Sequence, residues 1–181
     1  MTTTRTRALD AAVELLGTEG LRSLTHVRVD ERAGLPKGST SNSFRTRRAL
    51  LEGVAVRILE RELPGVGTTF TQPSTPEEFV EGLSSLLELL TGPARVPTTA
   101  RLVLFLEASH DPPLREVLSR GRGILEAMGV ASLATLGARD PRNAAAAVAA
   151  CFEGLLLHRV ARHDETDPRP VLGLVVRGAL A

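Results

Sequence analysis

Apolar residues recur along this chain at the spacing of an α-helix. Five of them share one face of a first predicted helix, which Gly20 ends: Ala8, Leu9, Ala12, Val13 and Leu16. A short second helix is predicted from Thr25, a good N-cap residue, to Ala33, with Gly34 as its stop. Both helices are short enough for a compact helical domain.

Helix start and stop residues continue the pattern after residue 34. A third helix is predicted to begin near Pro36 or Lys37. A fourth runs from a cap at Thr46 to about Leu63, where Pro64 ends it, because proline disrupts a helix interior. Residues 64–75 show no periodicity and are predicted to form a linker.

Five further helices are predicted after the linker. Thr75 and Glu78 form a capping box for a helix that reaches about Thr91. The next helix is predicted over 99–109, and the one after it follows the turn at 110–113 and extends to about Gly137. Asp140-Pro141 and Asp167-Pro168 then start helices of about 20 and 12 residues. The sequence therefore predicts an all-α fold of nine helices without a sheet.

The amino-acid composition indicates the class of protein and its cellular compartment. Hydrophobic residues make up 43% of the 181 positions and charged residues 24%, as in soluble globular proteins. The core must be aliphatic, because the chain has no Trp or Tyr and five Phe. Cys151 is the only cysteine, so no intrachain disulfide forms. The first ten residues contain no apolar stretch that could serve as a signal peptide, and the most apolar run, 144–157, is shorter than the ~20 residues of a membrane span. We expect a cytoplasmic protein that binds no membrane.

Charge is distributed unevenly along the chain. Residues 1–48 carry nine basic and five acidic side chains, a net charge of +4, whereas residues 49–181 carry thirteen and sixteen, a net charge of −3. A polyanion would therefore bind the N-terminal part, although a chance distribution is the simpler alternative. We predict two domains, a helix-turn-helix domain over 1–48 and a second helical domain over 49–181.

The segment around the predicted third helix has an unusual composition. The only lysine of the chain, Lys37, precedes five small polar residues: Ser39, Thr40, Ser41, Asn42 and Ser43. Such residues make a poor free-standing helix, but their donors and acceptors suit a helix that enters the major groove of DNA. Arg5, Arg7 and Arg47 surround this helix and could contact phosphates. A plain surface loop with solvated arginines is the alternative interpretation.

Residues 8–54 resemble the DNA-binding domain of the TetR family of transcriptional regulators. The shared pattern comprises an Ala-rich first helix ending in Glu-Gly, then Thr25, Val29, Ala33-Gly34, Lys37-Gly38, Phe44, Arg47 and Leu50. The resemblance implies that residues 37–43 form the recognition helix, with Phe44 as a core anchor and Arg47 as a phosphate contact. The DNA-binding residues that we predict on this basis are Thr25, Arg28, Lys37, Gly38, Ser39, Thr40, Ser41, Asn42, Ser43, Arg47 and Arg48.

The chain departs from the family's pattern at several of these positions. The family usually has an aromatic residue between positions 41 and 43, where this chain has Ser-Asn-Ser. Position 40, usually apolar, is Thr40, and position 30, usually a small alanine, is Asp30. One hypothesis is that Asp30 caps the N-terminus of the recognition helix.

The C-terminal two-thirds carry two further predictions. The apolar surfaces of the last two helices, with the small residues at 144–150, favour a homodimer through these helices, the alternative being burial within the monomer. The resemblance implies an effector pocket between residues 76 and 137. Its candidate lining residues are Phe79, Leu83, Leu87, Leu102, Phe105, Leu106, Met128 and His110, with Cys151 and His158 as further polar candidates. Plain core is the commoner role of apolar residues at helical spacing and is the alternative for each apolar candidate.

These features favour a DNA-binding regulator over an enzyme. The sequence shows no nucleophile–base pair, metal-ligand spacing or glycine-rich phosphate loop, so we expect no catalytic residue, metal or cofactor. The leading hypothesis is a dimeric repressor that binds a palindromic operator on double-stranded DNA and is released by a small apolar effector. The alternatives are an enzyme that uses the internal cavity and a helical small-molecule-binding protein whose DNA-binding domain has degenerated.

Overall fold

The computed structural model describes residues 3–69 and 73–181, the side chains of 62–69 excepted. These residues form nine α-helices and contain no strand, which confirms the predicted all-α class. The helices are α1 (Thr4–Glu19), α2 (His26–Ala33), α3 (Ser39–Ser43), α4 (Arg47–Thr69), α5 (Pro76–Thr91), α6 (Arg95–Glu107), α7 (Pro112–Thr135), α8 (Pro141–Arg162) and α9 (Arg169–Leu180).

Most helix ends lie where the capping residues predict them. Gly20 follows α1 with a φ of 79°, a backbone conformation that glycine adopts without strain. The hydroxyl of Thr75 accepts a hydrogen bond from the backbone N–H of Glu78 at the start of α5. Asp140 caps α8 in the same way, accepting from the N–H of Asn143. Local hydrogen bonding therefore determines these ends.

One helix end and two helix starts differ from the predictions, and proline is involved in two of them. Helix α4 continues past Pro64 to Thr69, although its predicted end was Leu63. A proline removes one backbone hydrogen bond and crowds the preceding turn, but a helix can continue past it with a kink. The predicted linker shrinks accordingly, and its residues 70–72 lie outside the described residues. Helix α6 begins at Arg95 instead of Thr99, because Pro97 falls in the first turn, where no N–H is needed. Helix α3 begins at Ser39, later than predicted.

The chain divides into two compact units. The first comprises Met1–Glu62 and Ala94–Arg120. Within it α1 packs on α2, α3 and, most extensively, α6. Its aliphatic core includes the fully buried side chains Leu15, Leu16, Leu24, Leu50, Ile58, Leu104 and Leu114.

The second unit comprises Leu63–Pro93 and Gly121–Ala181. Here α5, α8 and α9 pack on one another around the buried residues Phe79, Leu133, Val148, Leu172 and Val176. Arg169 of α9 also donates two hydrogen bonds to the carboxylate of Glu81 on α5, at 2.8 and 2.9 Å. The predicted functional boundary between residues 48 and 49 stays a prediction, since compactness does not locate function.

Helix α8 stands out among the described helices because it is long and apolar enough, by length and composition, to cross a membrane. Only 22% of its most apolar window is buried within the chain. Its exposed residues include Ala146, Ala147 and Ala150, and Leu157 is 49% exposed. Much of the apolar surface of α8 is therefore not covered by the residues that the structure describes.

Candidate nucleic-acid interface

Helices α2 and α3 form a helix-turn-helix. The hydroxyl of Thr25 accepts a hydrogen bond from the backbone N–H of Arg28 at 3.3 Å, and so caps the start of α2. Gly34 ends α2 in the left-handed conformation, with a φ of 60°. The turn closes at Gly38, whose φ of 92° is likewise unfavourable for a side chain. These residues fix the direction in which α3 leaves the turn.

Asp30 is a buried carboxylate beneath the N-terminus of α3. Only 3% of the residue is exposed. One carboxylate oxygen accepts from the backbone N–H of Gly38 at 2.8 Å. The other accepts from the backbone N–H of Thr40 at 2.8 Å and from its hydroxyl at 2.5 Å. Burial raises the pKa of Asp30, but these hydrogen bonds from Thr40 and Gly38 outweigh it and hold the pKa below its ordinary value. The hypothesis that Asp30 caps the recognition helix is confirmed.

Thr40 does not lie on the exposed surface of α3. Its exposed fraction is 0%, and its hydroxyl donates to Asp30. The prediction that Thr40 belongs with the DNA-contacting residues is therefore corrected: the side chain anchors α3 to α2 from beneath.

The exposed polar side chains of α3 and its turn are those of Lys37, Ser41 and Asn42. Ser41 donates its hydroxyl to the carbonyl of Gly38 at 3.0 Å, and the hydroxyl oxygen can still accept a hydrogen bond from another donor. Within the described residues, the side chains of Lys37 and Asn42 make no hydrogen bond. Their ammonium and amide groups are thus available to an outside partner.

The two remaining serines of the helix are half-buried. Ser39 donates its hydroxyl to the carbonyl of Pro36 at 2.6 Å, and Ser43 donates to the carbonyl of Ser39 at 3.2 Å. Both hydroxyls therefore stabilise the turn and the helix itself. The face that can reach a base edge is narrower than the run of five polar residues suggests.

The C-terminal end of α3 is held by side chains from α1 and α2. Arg5 donates to the carbonyl of Ser43 at 3.2 Å, and its guanidinium lies 4.3 Å from the centroid of the Phe44 ring. The ring N–H of His26 donates to the carbonyl of Phe44 across 2.7 Å. Cationic groups are favourable at a helix C-terminus, because the last carbonyls there lack partners within the helix.

Arg7 has a comparable role at the end of α2. Its guanidinium donates to the carbonyl of Ala33 at 2.7 Å and to that of Gly34 at 3.2 Å. A phosphate was one explanation for basic residues at the start of α1. The structure supplies a second, since Arg5 and Arg7 bind the carboxyl ends of the two neighbouring helices.

The arginines predicted to contact phosphate all have a partner within the chain. Arg28 pairs with Glu19 at 2.5 Å, Arg47 donates to the carbonyl of Leu21 at 3.0 Å, and Arg48 pairs with Asp111 at 3.3 Å. The hydrogen bond from Arg28 lowers the pKa of Glu19 despite the opposing effect of desolvation. All three arginines are exposed, and exposed ion pairs are weak enough for a phosphate to compete with them.

The predicted effector-pocket residues fall in both units. Phe79 and Leu83 lie together in the core of the second unit, where Leu87 is also buried and Met128 is half-buried. In the first unit, Leu102 and Phe105 are half-buried, Leu106 is 76% exposed and His110 is exposed. The structure thus brings Phe79 and Leu83 together and leaves Leu106 on the surface.

Two features of the structure were missed in the sequence. The hydroxyl of Ser84 on α5 is fully buried and makes no hydrogen bond within the described residues. A serine within the apolar face that carries Leu83 and Leu87 was the available signal. The other feature is an open cleft of about 470 Å³ in the first unit, bordered by Asp10, Glu14, Arg7, Arg32 and Arg61. None of the predicted effector residues lines this cleft.

Comparisons with known proteins place this geometry in a family. A family model described as tetracyclin repressor-like, C-terminal domain, matches residues 74–181, more than half of the chain. The chain belongs to the TetR family of transcriptional regulators. Among curated proteins, none matches the sequence significantly.

Solved structures agree with this assignment over nearly the whole chain. A member of the TetR family from Streptomyces coelicolor A3 is 27% identical, with a TM-score of 0.77 and coverage of 95% of this chain and 97% of that one. A TetR transcription regulator from Haloarcula marismortui has a TM-score of 0.83 at 16% identity, with coverage of 98% of both chains. The multidrug binding protein EbrR, complexed with ethidium, has a TM-score of 0.79 at 24% identity, covering 97% of this chain and 98% of its own. The latter two similarities concern the fold alone.

Proposed function

We propose that this chain is a homodimeric repressor that binds a palindromic operator and is released by a small apolar molecule. The observation that carries the proposal is the exposed face of Lys37, Ser41 and Asn42 on a recognition helix that is held at both ends. A helix anchored in this way presents its polar groups in one fixed arrangement, which base recognition requires. The DNA-binding domain comprises residues 1–48, and residues 49–181 bind the effector and the second subunit.

The contacts divide between bases and phosphates. Asn42 and Ser41 read base edges, and Lys37 adds a charge at the start of the helix. Four further residues lie beside the duplex and orient it against α3: Thr25, Gly38, Ser39 and Ser43. Arg28, Arg47 and Arg48 exchange their present partners for phosphate oxygens, which are strong acceptors for guanidinium groups.

The homodimer forms through α8 and α9. The exposed apolar residues of these helices support this contact: Leu157 is 49%, Val171 45% and Leu174 68% exposed. Small residues on α8 permit close approach of a second helix pair. Two-fold symmetry of the dimer then matches two half-sites of a palindromic operator.

The effector binds in the second unit, beside Phe79 and Leu83, with the buried hydroxyl of Ser84 as a polar contact. EbrR, which is similar in fold, binds ethidium, a flat aromatic cation, and this supports a flat aromatic molecule with a largely apolar surface as the effector class. Helices α4 and α7 each run from one unit into the other, so they connect this region with the DNA-binding domain. The effector releases DNA only if it binds better to a conformation with the wrong spacing of recognition helices.

Selection of duplexes from a random pool tests the proposal. The purified full chain is expected to enrich a two-fold symmetric site, whereas a Lys37→Ala/Asn42→Ala variant should enrich none. Ethidium and related apolar cations can then be titrated against the complex with that site. General, salt-sensitive binding without enrichment would instead support a small-molecule-binding protein with a degenerate DNA-binding domain. A reporter gene behind the selected site distinguishes repression from activation.

A further inference from the structure

The recognition helix cannot be stable on its own. It has five residues, all of them Ser, Thr or Asn, whose side chains compete with the backbone for hydrogen bonds. Isolated helices need more than about twelve residues to form in water. Backbone hydrogen bonds at its two ends, from Asn42 to Gly38 and from Phe44 to Thr40, are too few to offset the entropy of ordering. Its conformation must be imposed by groups outside the helix.

The carboxylate of Asp30 is the group best placed to impose it. It accepts three hydrogen bonds, two of them from backbone N–H groups in the first turn and one from the Thr40 hydroxyl. Because the site is buried, water cannot replace these bonds when the carboxylate is removed. A carboxylate at a helix N-terminus is also favoured by the peptide dipoles.

We infer that Asp30 is a positioning residue for sequence recognition: through Gly38 and Thr40 it holds the first turn of α3 helical, and so places Ser41 and Asn42 against the bases. The inference rests on the proposed function, since it assigns a role to Asp30 within the same DNA-binding site. Asp30 itself touches no DNA, because it lies beneath the helix.

The two ends of α3 are held independently. Arg5 and His26 bind the carbonyls of Ser43 and Phe44 at the C-terminal end. They leave the first turn, which precedes Asn42, dependent on Asp30. Loss of the carboxylate should therefore disorder the start of α3 while its end stays attached.

Specific and non-specific DNA binding should respond differently. Non-specific affinity comes from phosphate contacts, which the arginines of α2 and α4 retain. Specific affinity falls in proportion to the fraction of molecules with an ordered α3. Asp30→Ala is expected to lower specific affinity about tenfold or more and to change non-specific affinity by less than about twofold.

Thr40 provides a conservative partner for a double-variant test. Asp30→Ala leaves the Thr40 hydroxyl buried without an acceptor, which adds to the loss. Asp30→Ala/Thr40→Val removes the hydroxyl along with the carboxylate and fills its space with a methyl group. The double variant should recover part of the specific affinity that Asp30→Ala loses. Thr40→Ser, which keeps the hydroxyl, should stay close to the original chain.

A matched control comes from Ser23 in the same unit. Ser23 is also buried, and its hydroxyl donates to the carbonyls of Leu15 and Gly20 at 3.2 and 2.7 Å. Ser23→Ala should lower thermal stability without changing the ratio of specific to non-specific affinity. This control separates positioning from general loss of stability.

Two measurements decide the inference. Amide hydrogen exchange in the free full-length protein should show faster exchange at Gly38 and Thr40 in Asp30→Ala and partial recovery in the double variant. Titration with the selected site and with random duplex gives the affinity ratio. Unchanged exchange, or equal loss of affinity for both duplexes, overturns the inference. If the original chain selects no site, the proposed function fails, but amide hydrogen exchange still decides whether Asp30 orders α3. If Asp30→Ala does not fold, Thr40→Val is used for the same measurements of hydrogen exchange and of the affinity ratio.

Discussion

The contact between α1 and α6 depends on the absence of a side chain at Gly17. A Cβ atom at this position would clash with the carbonyl oxygen of Val96 and would lie 2.8 Å from its Cγ1, whereas real Cβ atoms essentially never approach another atom within 3.0 Å. The obstructing oxygen belongs to the backbone of α6, so it cannot rotate away. Gly17→Ala must therefore push the two helices apart.

The expected effect is a loss of stability in spite of the better helix propensity of alanine. Overpacking a close contact costs about 1–3 kcal/mol. Replacing glycine within a helix contributes at most about 1 kcal/mol in the opposite direction. With about 2 kcal/mol for overpacking and about 1 kcal/mol for propensity, the net destabilisation is about 1 kcal/mol, which lowers the Tm of a chain of this size by about 2–4 °C.

Thermal unfolding followed by circular dichroism measures this, with Gly82→Ala as the matched control. Gly82 also lies within a helix, but a Cβ atom there has no neighbour within 4 Å. The control should raise the Tm, since only the propensity contributes. If both variants raise the Tm, α1 and α6 do not approach as closely as the structure describes, and the reasoning is refuted.

Four further predictions concern the DNA and dimer surfaces. Arg47→Ala should weaken binding to all duplexes and reduce the salt slope by about one charge, because one phosphate contact is lost; an unchanged slope excludes that contact. Asn42→Ala should relax preference at one base pair at a cost of about 1–3 kcal/mol, and equal loss on random DNA would contradict it. The folded chain holds the pKa of Asp30 below its ordinary value. The ionised carboxylate therefore stabilises the fold above the ordinary aspartate pKa of ~4, and this stability is lost as the pH falls through the pKa of the folded chain. Unfolding curves of the original chain and Asp30→Asn should therefore separate at neutral pH and converge in acid; a constant gap refutes this. Leu174→Glu should yield folded monomers in analytical ultracentrifugation, whereas Val56→Glu, on exposed α4 surface, should leave dimers intact.

The sequence was sufficient for the features that depend on neighbouring residues. Thr25 and Gly34 bound α2 as predicted, and Thr75 and Asp140 cap the helices that they precede. These signals can be read because each cap bonds to a backbone group within three residues of itself. The same reasoning gave the all-α class and the position of the helix-turn-helix.

Two proline positions did not predict helix boundaries correctly from neighbouring residues alone. Pro64 lies within α4 and Pro97 within the first turn of α6, so neither coincides with a helix boundary. The missing N–H of a proline does not by itself locate a helix boundary. Whether the chain continues as a helix depends on the packing available on either side of it.

The recognition surface required the tertiary structure. The sequence shows five polar residues in a row, and only the fold decides that Thr40 is buried on Asp30 while Asn42 is exposed. Likewise Arg5 binds the carbonyl of Ser43, 38 residues away, although its position suggested a phosphate contact. Identical residue types acquire different roles because burial determines which hydrogen bonds water can replace. Hydrogen bonds between near neighbours specify which segments become helices, whereas packing between distant residues selects the side chains that remain exposed on α3.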